Sequence, residues 1–359
     1  MTHSNLDSRL LAAVGNKVPG VALLVVGPEG VLARSAVGVA DLIAGTPMRT
    51  DFAMPWFSMT KIATGTTAMR LVERGTLALD VPLASLVLGM RSLRPADWAA
   101  RITIRHLLQH AGGLANPIPV KWIHPADRPG PDPDAFLSGL LAKHAKLRFE
   151  PGTRSSYSNL GTLILGAAIA GVIERRCEEV VRTEILEPLG MSSTGYKFPA
   201  IESATGYHRK QSPMRLFLPR WVEGPTSGRW MGLRPFLLDG AAYGGLVGTP
   251  EDAARFLQMH IRGGELEGTR IITSKTAAEM RRIDRRGRRF DLGLGWFRPA
   301  NQRNADPPFV EHLGGGAGFF NVMRIYPSLR VGAVVMGNST KYNIDAVAKL
   351  ALEFEAAAA

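Results

Sequence analysis

One cysteine in 359 residues leaves no partner for an intrachain disulfide and excludes a cysteine-rich metal cluster. Cys177, in the helical-looking run VIERRCEEVV, has no catalytic-thiol signature around it and reads as a partly buried small residue. Long apolar runs are also missing. The most hydrophobic stretch, LGTLILGAAIAGVIERR, is cut by charge before the roughly 18 apolar residues that a membrane span requires. The N-terminus lacks the basic start, apolar run and small-residue cleavage site of a secretory leader, so a cytoplasmic chain with no membrane span is expected. Acidic residues are in deficit, 31 Asp and Glu against 43 Lys and Arg, a formal net charge of +12. Such an excess raises nucleic acid as a partner, with RRIDRRGRRF (281–290) as the densest basic run. Its arginines are not interleaved with stacking aromatics and no nucleic-acid module occurs. The run therefore reads as a solvated basic face, with steering of anionic substrates as a secondary role and no nucleic acid as partner. No G-x-S-x-G occurs, which argues against an ordinary α/β-hydrolase, and no fixed-period repeat is present.

What is present is ordinary globular usage, 45% hydrophobic and 21% charged, in a chain long enough for one large domain or two intertwined ones. VALLVVGPEGVLARSAVG (21–38) reads as two strands around a Gly-Pro-Glu-Gly turn. Helical patterns follow at 58–74, 103–110, 134–146, 159–176, 178–187, 250–262 and 274–283, with long Pro- and Gly-rich loops at 111–133 and 195–245. Strands return late: LGLGWF, FVEHL, FFNVMRIYP and VGAVVMG form a meander between 292 and 337, and IDAVAKLALEFE closes the chain as a helix. Strands at both ends imply an α/β (α+β) fold, an antiparallel sheet built from the two termini and flanked by helices, with a largely helical inserted domain. The expected division is 1–75 with 246–359 as the sheet domain and 76–245 as the insertion, and the terminal AAAA reads as a frayed end.

The stretch PWFSMTKIATG (55–65) carries the first chemistry. With a helix starting near Ser58, Lys61 lies one turn on, on the face continued by Gly65, Met69 and Val72. That face is mostly apolar, so desolvation disfavours the ammonium and makes Lys61 a candidate base for Ser58. Free N–H groups at the helix start suit an oxyanion on a carbonyl attacked by Ser58. One S-x-x-K is expected by chance in a chain of this length, so company decides. Tyr157-Ser158-Asn159 precedes an apolar helix, and His312-Leu313-Gly314-Gly315 lies on a strand followed by glycines.

Ser-x-x-Lys, then Tyr-x-Asn, then a Lys- or His-x-Gly strand resembles the serine β-lactamase and penicillin-binding protein superfamily, in the class C-like branch with its esterases and D-amino-acid peptidases. GVADLIAGTPMRTDFAMPWFSMTK, LLQHAGGL, EPGTRSSYSNLGTLILG, EPLGMSSTGY, GGLVGTPEDAARFLQM, GLGW and HLGGGAGF resemble that branch in order, over nearly the whole chain. The resemblance implies a β-lactamase/transpeptidase-like fold and roles for single residues. Ser58 is implied as the acylated nucleophile, Lys61 as an acceptor of its proton, Tyr157 as partner base or proton shuttle, and Asn159 as the group orienting Lys61 and substrate. The backbone N–H groups of Ser58 and Gly315 are implied as the oxyanion hole, with a side chain at 314 or 315 obstructing substrate.

His312 departs from the Lys-Thr-Gly pattern and resembles esterases and aminopeptidases of the branch. An imidazole with a pKa of about 6.5 is mostly neutral at pH 7, so it attracts a substrate carboxylate less than a lysine does. It would still donate one hydrogen bond to Tyr157 or to the ester, and neutral esters are expected over β-lactams. His312 as a plain strand residue is the bland alternative. SKTA (274–277) lacks the glycine and belongs to a helix surface. His106 and His110 have metal-ligand spacing but neither the H-E-x-x-H glutamate nor a third ligand, and a structural role is preferred. Neither metal nor cofactor is expected. Trp122, Phe217, Trp221, Trp230, Phe236 and Tyr243, with Arg215, Arg220, Arg229 and Arg234, are candidate substrate walls. The leading expectation is an esterase acting on a small-molecule ester through an acyl-enzyme. An amide-directed D-amino-acid peptidase or weak β-lactamase, an acyltransferase and a non-catalytic binding module stand as alternatives, and the oligomeric state is open.

Overall fold

A computed structural model describes residues 3–86, 97–144 and 146–354. Its main element is an eight-stranded antiparallel sheet, in the spatial order Phe290–Leu292, Phe297–Pro299, Val310–Gly316, Phe319–Tyr326, Val331–Gly337, Gly20–Gly27, Gly30–Asp41 and Thr46–Pro47. The two ends of the chain meet inside it, where Val21 to Val26 pair with Gly337 to Gly332. Gly20–Gly27 is buried at every position, which is why GVALLVVG is apolar throughout instead of alternating. Its odd residues Val21, Leu23 and Val25 face a core with Leu6, Leu10 and Val347, while Leu24 and Val26 face the larger core with Phe256 and Leu257. The first core rests on the N-terminal helix His3–Val14, which has no counterpart among the expected helices, and on the C-terminal helix Ile344–Lys349.

The other face carries helices Pro250–Ile261 and Thr60–Glu73. Almost all of Thr60–Glu73 is buried, and its threonines are satisfied internally or by a neighbouring loop: Thr66 and Thr67 donate to Ile62 O and Ala63 O, and Thr64 donates to Ala242 O at 2.7 Å. At Gly65 a Cβ would meet Leu108 at 3.3 Å, so the glycine lets the helix pack this closely.

Helices also form at Ile104–Leu108, Pro133–His144, Asn159–Ile173, Cys177–Val181 and Ser274–Arg281, at the places the sequence suggests. The loops expected at 111–133 and 195–245 differ. Tyr207–Arg209, Trp230–Leu233 and Glu223–Ser227 make a three-stranded sheet, and Ile123–Pro125 pairs with Phe236–Leu238. These pieces are too short, and too interrupted by Gly and Pro, to show a period of two. Position 145 of the expected helix 134–146 and the terminal AAAA lie outside the described residues. Among the described residues no helix is long and apolar enough to cross a membrane.

Candidate active site

Ser58 sits in a tight turn, Phe57–Met59, that feeds helix Thr60–Glu73. The turn is held from behind: Trp56 N donates to Leu246 O at 2.8 Å, and Leu246 N donates to the Thr60 hydroxyl at 3.2 Å. Phe57 adopts φ +49°, a left-handed conformation that costs a non-glycine residue about 1–3 kcal/mol. Its ring is packed between Phe236 and Phe319, at centroid distances of 6.2 and 6.3 Å, and this packing holds the turn in place. Nothing in the apolar pattern of PWFSMTK signals that strain.

Lys61 Nζ lies 3.0 Å from Ser58 Oγ, 2.9 Å from Asn159 Oδ1 and 2.7 Å from the Tyr243 carbonyl oxygen. Burial pushes the Lys61 pKa well below the usual lysine value. The faces of Tyr157 and Tyr243, 4.9 and 5.3 Å from Nζ, favour the cation, but no carboxylate accompanies them and desolvation dominates. A neutral amine has two N–H bonds and one lone pair. Asn159 Oδ1 and Tyr243 O only accept, so they take both N–H bonds and leave the lone pair to the Ser58 hydroxyl. The Tyr243 carbonyl is a backbone group that no sequence motif reveals.

Tyr157 and Asn159 are fixed by the start of helix Asn159–Ile173. Ser158 caps it, accepting from Gly161 N at 3.0 Å and donating to Ala115 O at 2.7 Å, while Asn159 N donates to Asn116 Oδ1 at 2.9 Å. Ser158 N donates to His110 Nδ1, and the His110 ring packs on Tyr157 at 4.5 Å. Burial and then Lys61 hold the His110 pKa down to about 3. His106 acts elsewhere, its Nδ1 accepting from Thr103 N in the cap of helix Ile104–Leu108. Burial raises the Tyr157 pKa, against an opposing hydrogen bond with Ser58, so the resting residue is a neutral phenol. That state suits a proton shuttle rather than a phenolate base.

His312 is 1% exposed on strand Val310–Gly316, whose register is pinned next door by the buried Arg324–Glu311 pair at 2.6 Å. Burial first, and then Lys61, depress its pKa well below the ordinary histidine value. Its Nδ1 lies 2.8 Å from the Leu313 carbonyl, an acceptor, so the neutral ring carries its proton there and leaves Nε2 as an acceptor. This corrects the expectation that a neutral His312 donates to Tyr157 or to the ester, because its N–H is committed to its own backbone.

Gly315 lines the cavity beside Ser58, as expected, but Gly314 has a different cause from the one expected. A Cβ on Gly314 would meet Trp56 O at 2.1 Å and one on Gly316 the Phe57 ring at 2.1 Å, so strand and serine turn touch through backbone. Gly315 and Ser58 line one cavity of about 560 Å3, walled by Phe57, Ile123, Leu218, Phe236, Leu238 and Phe320. Of the expected wall residues, Phe236 and Tyr243 line it. Trp122 backs Tyr243 edge-on at 5.7 Å, Trp230 is buried in the three-stranded sheet, and Phe217 is exposed. Arg215, Arg220, Arg229 and Arg234 are absent from its lining, Arg215 being paired with Glu223. SKTA lies at the start of helix Ser274–Arg281 with Lys275 exposed.

Comparison with known proteins bears on the family and the fold. Residues 8–358 match the family profile described as Beta-lactamase. Protein Rv1367c of Mycobacterium tuberculosis is 28% identical over 270 residues, covering 70% of this chain and 65% of that protein, so the match spans just under two thirds of that relative. Esterase EstB of Burkholderia gladioli is 32% identical over 216 residues, 56% of this chain and 53% of the esterase. Among solved structures, D-amino acid amidase from Ochrobactrum anthropi SV3 superposes with a TM-score of 0.78 over 98% of both chains at 23% identity, a likeness of fold.

Proposed function

Because the chain belongs to the β-lactamase family of serine hydrolases, we propose that it is a carboxylesterase acylated on Ser58. The observation that carries this reading is the buried Lys61 Nζ 3.0 Å from Ser58 Oγ, with Asn159 Oδ1 and the Tyr243 carbonyl as acceptors for its N–H bonds, which leaves the lone pair of the neutral amine to Ser58. In the proposed sequence Ser58 Oγ attacks the ester carbonyl carbon while its proton passes to Lys61 Nζ. The oxyanion is met by the backbone N–H groups of Ser58 and Gly315. As the tetrahedral adduct collapses, the C–O bond to the alcohol breaks and the departing oxygen takes a proton from Tyr157, which Lys61 replaces. Water then attacks the acyl-enzyme by the reverse relay, releasing the carboxylic acid and free Ser58.

The ester preference rests on the weakness of the available acid. An amine must be protonated to leave, whereas an alkoxide or aryloxide needs less help. Tyr157 has a raised pKa and its neighbour on the strand is a neutral histidine with no free donor, so no fixed cation at position 312 sharpens it. The cavity walls, apolar except for a few polar groups such as His208 and Lys341, suit a mainly apolar acyl group. The test is a hydrolysis screen of p-nitrophenyl esters of graded acyl length beside nitrocefin and D-alanyl amides, with fluorophosphonate labelling of Ser58. Esters should lead by orders of magnitude. Nitrocefin or a D-alanyl amide turned over as efficiently would replace the esterase reading with the amide-directed one.

A further inference from the structure

Tyr157 lines a separate cavity, of about 390 Å3, which shares no wall residue with the apolar one. Its walls include Arg148, Arg288 and Arg289, together with Tyr157, Asn116 and Ser155, and no carboxylate. Arginines on this protein are otherwise mostly engaged. In the run 281–290, Arg281 donates to His260 O, Arg282 pairs with Asp284, and Arg285 donates to Gln109 Oε1 and Gly152 O. Arg303 and Arg298 converge on Asp291 close by. Arg148, Arg288 and Arg289 have no ion pair and no side-chain hydrogen bond among the described residues. Ser155 adds an independent sign, for its Oγ is buried with no hydrogen-bond partner. The three arginines are exposed and stand without a partner around one hollow that has an unpaired buried hydroxyl in its wall, and an anion placed there gives each guanidinium a partner.

We propose that Arg148, Arg288, Arg289 and Ser155 bind a compact dianion, a phosphate monoester or a dicarboxylate, carried on the alcohol released from Ser58. Three guanidinium groups balance two negative charges better than one, and each presents the planar fork that pairs with phosphate or carboxylate oxygens. The side of the scissile bond follows from Tyr157. Its hydroxyl, bonded to Ser58, is the group that protonates the departing oxygen, so the alcohol lies against Tyr157 and its substituent enters the cavity Tyr157 shares with the arginines. The acyl group occupies the apolar cavity that contains Ser58 and Gly315. This assignment rests on the reading of Ser58 as the acylated serine. It makes the substrate two-sided, an apolar acid joined to an alcohol carrying a double negative charge. It also turns part of a basic run that reads as plain surface into a specificity determinant.

The experiment compares kcat/KM of the full chain for butyryl esters of three alcohols: glycerol, glycerol 3-phosphate and malate. One or both dianionic esters should exceed the neutral one by about tenfold to a hundredfold, the scale of one or two charge-assisted hydrogen bonds. Which of them leads identifies the anion. The ratio should fall toward one in the Arg288→Gln/Arg289→Gln double variant and stay near wild type in Arg286→Gln, an exposed arginine of the same run outside the cavity. Raising salt from about 10 mM to about 1 M, where the screening length shrinks from about 30 to about 3 Å, should narrow it. Binding of phenyl phosphate by calorimetry is independent of the chemistry at Ser58 and should weaken at least about tenfold in the double variant. A charge-blind ratio in the wild type, a preference that survives the double substitution, or phenyl phosphate binding that is absent or indifferent to the arginines overturns the proposal. Arginine-dependent phenyl phosphate binding without turnover of any ester leaves the anion site standing and removes the esterase reading.

Discussion

Asn159→Asp replaces one amide nitrogen by oxygen and puts a carboxylate where Lys61 Nζ now meets an amide oxygen at 2.9 Å. At that distance, with the effective dielectric near 20 that describes protein sites, an ion pair gains about 6 kcal/mol. Burying the new carboxylate takes back part of this gain. The remainder opposes the desolvation that depresses the Lys61 pKa, so Lys61 should return to the ammonium form at neutral pH. All its N–H bonds then point at acceptors, and no lone pair faces Ser58. Turnover of a p-nitrophenyl ester should fall by about 10²–10⁴ at pH 7, the scale of a lost general base. The sign of the pH effect is specific. In the wild type, activity should be lost as pH falls through the lowered Lys61 pKa, and in Asn159→Asp that acid limb should move toward alkaline pH, with partial recovery there. The assay is kcat/KM against pH for both proteins, corrected with Ser58→Ala for uncatalysed hydrolysis, and thermal melting confirms that the variant is folded. A limb that stays put, or a loss equal at every pH, refutes the reasoning.

Ser58→Ala should abolish fluorophosphonate labelling and turnover with the melting temperature unchanged, and labelling that persists elsewhere would remove Ser58 from its role. Lys61→Ala and Tyr157→Phe should each cost at least about a hundredfold in kcat, and near-wild-type kinetics in either would exclude that residue. His312→Lys should shift the ratio of nitrocefin to short-chain ester turnover toward the β-lactam, and an unchanged ratio would show that charge at 312 has no bearing on specificity. Gly314→Ala should destabilise by about 1–3 kcal/mol or more, read as a lower melting temperature, because its Cβ would stand 2.1 Å from Trp56 O. His110 gives an acid-stability signature: its folded pKa of about 3 lies below the unfolded value near 6.5, so the unfolded chain binds the extra proton between them. Its contribution is whole above pH 6.5 and lost as pH falls toward 3, about 5 kcal/mol in all. His110→Phe should therefore flatten the slope of stability against pH in that window, and an identical slope would refute the shift.

The legible parts of this protein are those written in side-chain periodicity and in short motifs. GVALLVVG and VGAVVMG read as strands because both faces of the sheet are covered, and their pairing across the termini follows once both are strands. Ser58 and Lys61 come together as their spacing suggests, and Tyr157 and Asn159 join them as the resemblance implies, because the start of one helix is set against the start of another. The rest depends on groups that carry no letter. The Tyr243 carbonyl, the positive φ of Phe57 and the tautomer of His312 are backbone facts or consequences of backbone. HSNLDSRLLAAV carries a weak helical signal because its apolar stripe is narrow, and the strands of 195–245 carry a weak strand signal because each spans only three to five residues.

The same distinction bears on charge. Burial pushes every group along the proposed proton path toward its neutral form: it lowers the pKa of Lys61, His110 and His312 and raises that of Tyr157. Such groups move a proton without first breaking an ion pair, but in their neutral forms they offer a charged substrate no attraction of their own. A lysine in place of His312 would supply that attraction from within the strand. Here a permanent positive charge near the site stands outside the buried proton path, on exposed arginines beyond Tyr157, where guanidinium groups stay hydrated until a ligand arrives. Keeping proton transfer and recognition apart lets desolvation hold Lys61 as a free base while water-accessible arginines attract the substrate. One cation at position 312 could not serve both without raising the cost of protonating Lys61 during the reaction, because like charges so close disfavour each other.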